Sequence, residues 1–257
     1  MNASTVGKVW LIGAGPGDVE LLTLKAVRAL GEADVVLIDA LVNREVLQFV
    51  KAQARVIEVG KRGGCRSTPQ EFIERKMLQL ARKGLTVARV KGGDPYVFGR
   101  GGEEVETLAR AGVMVEVVNG ITAGLGVPAA LGIPVTHRDF CRGVTFVTGN
   151  TRAGSQPNWQ VLANSGTTLV IYMGLANLGG IVTGLRDAGM PAAMPVAVVQ
   201  NGTLPTQRSV VSQLDHVVAA VALEGLASPA LVIVGEVVRF ANVNANRETQ
   251  GLLRKSA

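Results

Sequence analysis

Five short runs of β-branched and aliphatic residues, Lys8–Ile12, Val35–Ile38, Arg55–Val59, Thr86–Val90 and Val115–Val118, alternate with amphipathic stretches. No other feature constrains the fold as much. Short apolar runs bounded by turn residues read as buried strands. The stretches between them, Leu21–Leu30, Arg44–Val50, Pro69–Arg82 and Glu103–Ala111, carry helical spacing. Such alternation predicts a mostly parallel sheet covered on both faces. The helix over Pro69–Arg82 has the clearest start: Thr68 as cap, Pro69 in the first helical position and Glu71 completing a capping box. Ile73, Met77, Leu80 and Ala81 form its apolar stripe, and Gly84 stops it.

A second series follows Gly143. Val144–Thr148, Thr168–Met173, Val196–Val199 and Leu231–Val234 read as strands, with helical patterns at Leu175–Asp187 and Gln213–Leu223. Arg208–Val211 adds a short antiparallel strand, and Gly132–Arg142 is the best linker. The fold class is therefore α/β, with two α/β domains at 1–137 and 138–242 and a polar tail at 243–257.

Composition removes several functional classes. With 257 residues, 47% hydrophobic and 18% charged, the chain can bury real cores and is not disordered. Charges or prolines interrupt every apolar stretch, so no spanning helix of ~20 residues is expected. The first residues lack an export signal, and Cys65 and Cys141 form no C-x-x-C pair, which points to reduced thiols in the cytoplasm. With only His137 and His216 beside them, no metal site is expected. The net charge of +6 is scattered and aromatic content is 4%, which favours an anionic small molecule over nucleic acid.

Three glycine-rich segments follow predicted strands: Gly13–Asp18, Lys91–Pro95 and Asn119–Ala123. In a parallel sheet they emerge at the carboxyl edge, where open α/β folds bind ligands. Glycines there let backbone amides and carbonyls approach a ligand closely. The first segment invites a nicotinamide-dinucleotide reading, but Asp18 stands where the third fingerprint glycine belongs and Pro16 removes an amide. The loops suit a polar ligand without a polyphosphate, and Asp94 is a candidate acceptor for an amino group or hydroxyl.

These segments carry a resemblance. Gly13–Asp18 followed by Glu20–Ala26, then Gly60–Arg62, Ser67–Gln70, Lys91–Pro95, Phe98–Glu104, Gly120–Ala123 and Gly132–Pro134 are similar to the tetrapyrrole methylase family, over about residues 8–240. Asn119 departs from the proline common before Gly-Ile-Thr, and Ile38 from the tyrosine that often precedes Asp39. The resemblance implies a cleft between the two domains for S-adenosylmethionine (SAM) and a homodimer. It also implies two successive methyl transfers to C2 and C7 of uroporphyrinogen III, giving precorrin-2 by way of precorrin-1 and leaving S-adenosylhomocysteine (SAH). Such a product belongs to sirohaem and cobalamin biosynthesis.

Residues similar to the cofactor-contacting ones are Pro16, Gly92, Gly93, Asp94, Val97, Thr122, Ala123, Met173 and Gly202. The substrate is fringed with carboxylates, so cations flanking the site are its expected partners: Lys61, Arg62, Arg66, Arg100, Arg138 and Arg142, with Met173 nearby. Arg100 is the leading catalytic candidate, with Glu103 orienting it. Glu103 and Glu104 together also compensate the dipole of the helix they begin. His137, His216 and both cysteines are given no catalytic role, and the match from the first residues suggests a monofunctional chain. The alternatives are a later corrin-pathway methylase, a nicotinamide-dependent oxidoreductase and, last, a basic nucleic-acid-binding module.

Overall fold

A computed structural model describes residues 6–60, 69–149 and 157–241. The chain forms two compact units, Met1–Thr122 and Ala123–Ala257. The division falls upstream of the linker expected at 132–142. Ile133 explains the difference: it is 2% exposed and belongs to the second unit's core.

The first unit follows the expected alternation. Its strands are β1 (Val9–Gly13), β2 (Val35–Ile38), β3 (Arg55–Glu58), β4 (Val87–Lys91) and β5 (Val115–Val118). They form one parallel sheet in the order β3-β2-β4-β1-β5. Its helices are α1 (Leu24–Glu32), α2 (Gln70–Ala81) and α3 (Gly101–Arg110). Because successive strand residues face opposite ways, Trp10 and Ile12 meet Ala26, Ala29 and Leu30 of α1 on one face. Val9, Leu37 and Val87 meet Ile73, Met77 and Leu80 of α2 and Leu108 of α3 on the other. The stretches at 21–30 and 44–50 begin or run as 3-10 turns, Val19–Leu21 and Arg44–Phe49. Thr23 caps α1 by accepting the Ala26 amide. Pro69 is the cap residue of α2, one residue later than the cap expected at Thr68, and makes no side-chain cap bond. Thr68 lies outside the described residues, as do Cys65 and the polar tail.

The second unit contains β6 (Val144–Thr148), β7 (Thr168–Tyr172), β8 (Pro195–Gln200), β9 (Arg208–Gln213) and β10 (Ala230–Val234). Their order is β6-β7-β10-β8-β9. Only β6 and β7 pair in parallel; β10 is antiparallel to both β7 and β8, and β9 is antiparallel to β8. Sequence reading anticipated an antiparallel strand at β9 alone. The reversal at β10 has no local signature, because a strand buried between two neighbours is an apolar run in either direction. Helices α4 (Ala123–Ala130), α5 (Trp159–Ala163), α6 (Leu178–Asp187) and α7 (Val217–Leu223) complete the unit. Helix α4 was not anticipated. It holds Gly124, Gly126 and Pro128, poor helix formers, and is held by burying Val127 against β7 and β10.

Candidate active site

The order β4-β1-β5 sets the three glycine-rich loops side by side at one carboxyl edge. Their backbones touch. A Cβ on Gly13 would lie 2.5 Å from the Gly120 nitrogen and 2.6 Å from the Gly93 oxygen, and one on Gly120 would lie 2.2 Å from that same oxygen. Contacts this short leave room for glycine alone. Gly15 and Gly93 exchange both backbone hydrogen bonds, at 3.2 and 2.7 Å. Gly92 differs, because it is exposed and a Cβ there would meet nothing nearer than the Leu41 oxygen at 3.8 Å. Gly92 thus leaves an open cradle beside Leu41 that a side chain would fill.

The first loop also argues against a pyrophosphate. Pro16 is half-buried and offers no N–H, while Asp18 Oδ1 accepts the Glu20 amide at 2.9 Å and keeps a carboxylate at the turn. A carboxylate there repels phosphate and tolerates a cationic ligand. Val97 is half-buried, with its amide donating to the Asp94 carbonyl at 3.2 Å, and Thr122 is buried. Asp94, expected as an acceptor for ligand, is mostly engaged within the protein. Its Oδ1 accepts the Tyr96 amide at 2.8 Å, and its Oδ2 accepts Asn119 Nδ2 and the Gly120 amide, both at 3.2 Å.

Arg100 stands at the start of α3 with a left-handed backbone, φ 57°. Glycines on either side hold it there: a Cβ on Gly99 or Gly101 would meet the Pro95 oxygen at 2.6 or 2.5 Å. Glu103, one turn on, receives Arg100 Nε at 2.9 Å and Nη2 at 2.5 Å in a two-point fork. Those hydrogen bonds, outweighing a small desolvation cost, raise the Arg100 pKa above its already high ordinary value. A guanidinium held this firmly protonated binds anions and does not accept protons.

Glu104 does more than compensate the dipole of its helix. It is 0% exposed. Its Oε1 accepts Gln70 Nε2 at 2.9 Å, Arg89 Nε at 3.1 Å and Lys91 Nζ at 3.3 Å, while Oε2 is buried without a hydrogen-bond partner. Arg89 and Lys91 lie in the central strand β4 and reach Asp39 at the end of β2, at 2.7 and 3.8 Å. Burial lowers the Lys91 pKa, the Arg89 charge lowers it further, and Glu104 and Asp39 oppose the shift. The network delivers Asp39, partly exposed, to the carboxyl edge beside the glycine loops. Sequence reading missed it, although Arg89 interrupting an apolar strand and Glu104 standing four residues before buried Leu108 were visible signals.

Several further candidates lie in the second unit. Ala123 opens α4, and the next amide, Gly124, donates to Tyr172 Oη at 2.6 Å. Met173, just past β7, is 51% exposed with φ 54°, so it is not core packing. Gly202 sits between Asn201 and Thr203, which also have positive φ, and a Cβ on it would meet Val127 at 2.4 Å. Its lack of a side chain is thus required by α4. Arg138 and Arg142 are exposed. His137 packs between Phe140 and Phe240, with its Nδ1 accepting the Asp139 amide at 3.2 Å. Lys61, Arg62 and Arg66 lie outside the described residues. No metal-holding cluster and no helix able to cross a membrane occur among the described residues.

The family model for tetrapyrrole (corrin/porphyrin) methylases matches residues 8–218. The chain belongs to that family. It is 56% identical to uroporphyrinogen-III C-methyltransferase of Pseudomonas aeruginosa over 91% of this chain and 95% of that protein. Among solved structures it resembles uroporphyrin-III C-methyltransferase of Thermus thermophilus complexed with SAH, at 44% identity and TM-score 0.77, covering 91% and 99% of the two chains. A cobalt precorrin-4 methyltransferase structure reaches TM-score 0.81 at 29% identity, covering 90% of this chain and 95% of that one.

Proposed function

We propose that this protein transfers two methyl groups in succession from SAM to ring carbons of uroporphyrinogen III, C2 and C7, yielding precorrin-2. The observation that carries the reading is the 56% identity across 91% of the chain to a relative named for that reaction. Backbone likeness does not choose the acceptor, since a precorrin-4 methyltransferase superposes as well as the uroporphyrin enzyme does.

The residues present fit SAM. Gly92 leaves a cradle beside the loops, and Asp18 and Pro16 disfavour a polyphosphate while tolerating a cationic ligand. Pro16, Gly92, Gly93, Asp94, Val97 and Thr122 of the first unit would hold it, and the family resemblance names Ala123, Met173 and Gly202 as further contacts. When bound, SAM supplies a methyl group on a cationic sulfur.

The protein's own contribution is positioning and charge. An electron-rich pyrrole carbon needs no strong base to become a nucleophile, so orientation is the main task. Arg100, fixed by Glu103 and flanked by packed glycines, takes a carboxylate of the substrate rim and offsets charge in the reacting complex. Lys61, Arg62, Arg66, Arg138 and Arg142 are assigned to the other carboxylates. Asp39, held by Arg89 and Lys91, keeps a partly exposed carboxylate at the carboxyl edge that could take up the proton the methylated ring loses. A homodimer in the cytoplasm completes the proposal. Incubation with SAM and either uroporphyrinogen III or a later corrin intermediate, followed by mass spectrometry, tests the acceptor; methylation of the later intermediate alone would overturn it.

A further inference from the structure

We propose that Asn119 is a positioning residue for cofactor binding, acting through the Asp94 carboxylate. The proposal rests on the reading that the three glycine loops hold SAM. Asp94 lies three residues past β4, and Asn119 and Gly120 open the loop after β5. These strands are not neighbours, because β1 lies between them. Two strand spacings, about 9.5 Å, therefore separate the roots of the two loops. Asp94 spans that gap, with its buried side chain receiving the Tyr96 amide on one oxygen and both Asn119 Nδ2 and the Gly120 amide on the other.

Three of roughly four lone-pair sites on the carboxylate are used in this way. Two of the three donors come from the β5 loop, and one of those two is a side chain. Beneath the tie, Gly13, Gly93 and Gly120 are in backbone contact, so a small shift of Gly120 is transmitted directly to Gly93 and the adjacent Gly92 cradle. Asn119 is exposed and is not itself among the cradle residues. Its effect on the ligand runs through the carboxylate it helps to orient.

The chemistry of the pair makes distinct demands. Asn119→Ala removes one donor and leaves the Gly120 amide in place. Asn119→Asp sets a second carboxylate against the first. Asp94→Asn cannot satisfy the site in either rotamer, because its amide nitrogen then faces either the Tyr96 amide or the two β5-loop donors. Combining Asp94→Asn with Asn119→Asp restores the pair between these two side chains with the roles exchanged, but leaves the Gly120 amide facing an amide nitrogen.

The test is calorimetric titration of SAH into the full chain and these variants, with amide hydrogen exchange at Gly120 and steady-state kinetics alongside. Asn119→Ala is expected to weaken SAH about 5- to 10-fold, raise KM for SAM similarly and leave kcat at saturating SAM unchanged. Gly120 amide exchange should accelerate in the ligand-free variant. Asn119→Asp should weaken SAH more, and the exchanged double variant should bind better than Asp94→Asn alone, because one of the two lost contacts is regained. Wild-type SAH affinity in Asn119→Ala, or additive losses in the double variant, would overturn the inference while leaving the cofactor reading intact. A wild-type protein that binds no SAH would instead overturn the reading itself, and the inference with it.

Discussion

Glu104→Gln is the most informative single change, because it removes one charge from a buried network and almost no volume. The wild-type cluster is neutral, with Arg89 and Lys91 balanced by Glu104 and Asp39. Glutamine leaves two buried cations facing one partly exposed carboxylate. Breaking a buried pair in this way costs about 3–5 kcal/mol. For a cooperative unit near 120 residues, each kcal/mol shifts Tm by about 3–5 °C, so a loss of roughly 9–25 °C is expected. Lys91 provides a relief route. Its folded pKa is already lowered by burial, and losing Glu104 lowers it further. Between that folded value and the unfolded value near 10.4, the unfolded chain binds the extra proton, so stability rises with pH. The variant's deficit should therefore shrink from pH 7 to pH 9. Thermal unfolding followed by circular dichroism at both values is the assay. The apolar triple replacement Arg89→Met, Lys91→Met and Glu104→Leu should recover much of the loss, because no buried charge is then left unpaired. A Glu104→Gln variant melting within about 2 °C of wild type, or a deficit independent of pH, would refute the reasoning.

Three further outcomes follow from the site. Arg100→Leu should keep SAM affinity and slow single-turnover methylation roughly 10- to 100-fold, with Arg100→Lys recovering only part because a point charge cannot reproduce the fork. Gly92→Val should remain folded by circular dichroism, since a Cβ there meets nothing nearer than 3.8 Å, and should lose SAH binding by calorimetry. Tyr172→Phe should cost about 1 kcal/mol in urea unfolding, because the Gly124 amide loses its acceptor at 2.6 Å.

The first unit was legible because its signals are local. All five strands lie within a residue of their expected positions, and the loops that follow β1, β4 and β5 carry their glycines in plain view. What escaped was set by pairing across the chain. The direction of β10 depends on its neighbours, and α4 forms against its own composition because Val127 is buried beneath it. The same holds in the site. Arg100 and Glu103 are three residues apart on one helix, so their pairing was readable. Glu104 meets Arg89 and Lys91 across 15 and 13 residues, and Asp94 meets Asn119 across 25. Nothing local shows that those side chains converge, and so Asp94 read as a ligand acceptor and Glu104 as a charge compensating its helix dipole.

The central claim is methyl transfer from SAM to uroporphyrinogen III, and a single-turnover reaction with methyl-deuterated SAM tests it most directly. Purified protein, excess labelled SAM and anaerobic uroporphyrinogen III are mixed, and the tetrapyrrole is followed by mass spectrometry and carbon NMR. The account predicts one labelled methyl group, then a second, each on a ring carbon at C2 or C7, with SAH formed in equal number. Unlabelled tetrapyrrole after complete mixing, or label on a carboxylate oxygen and not on carbon, would contradict it.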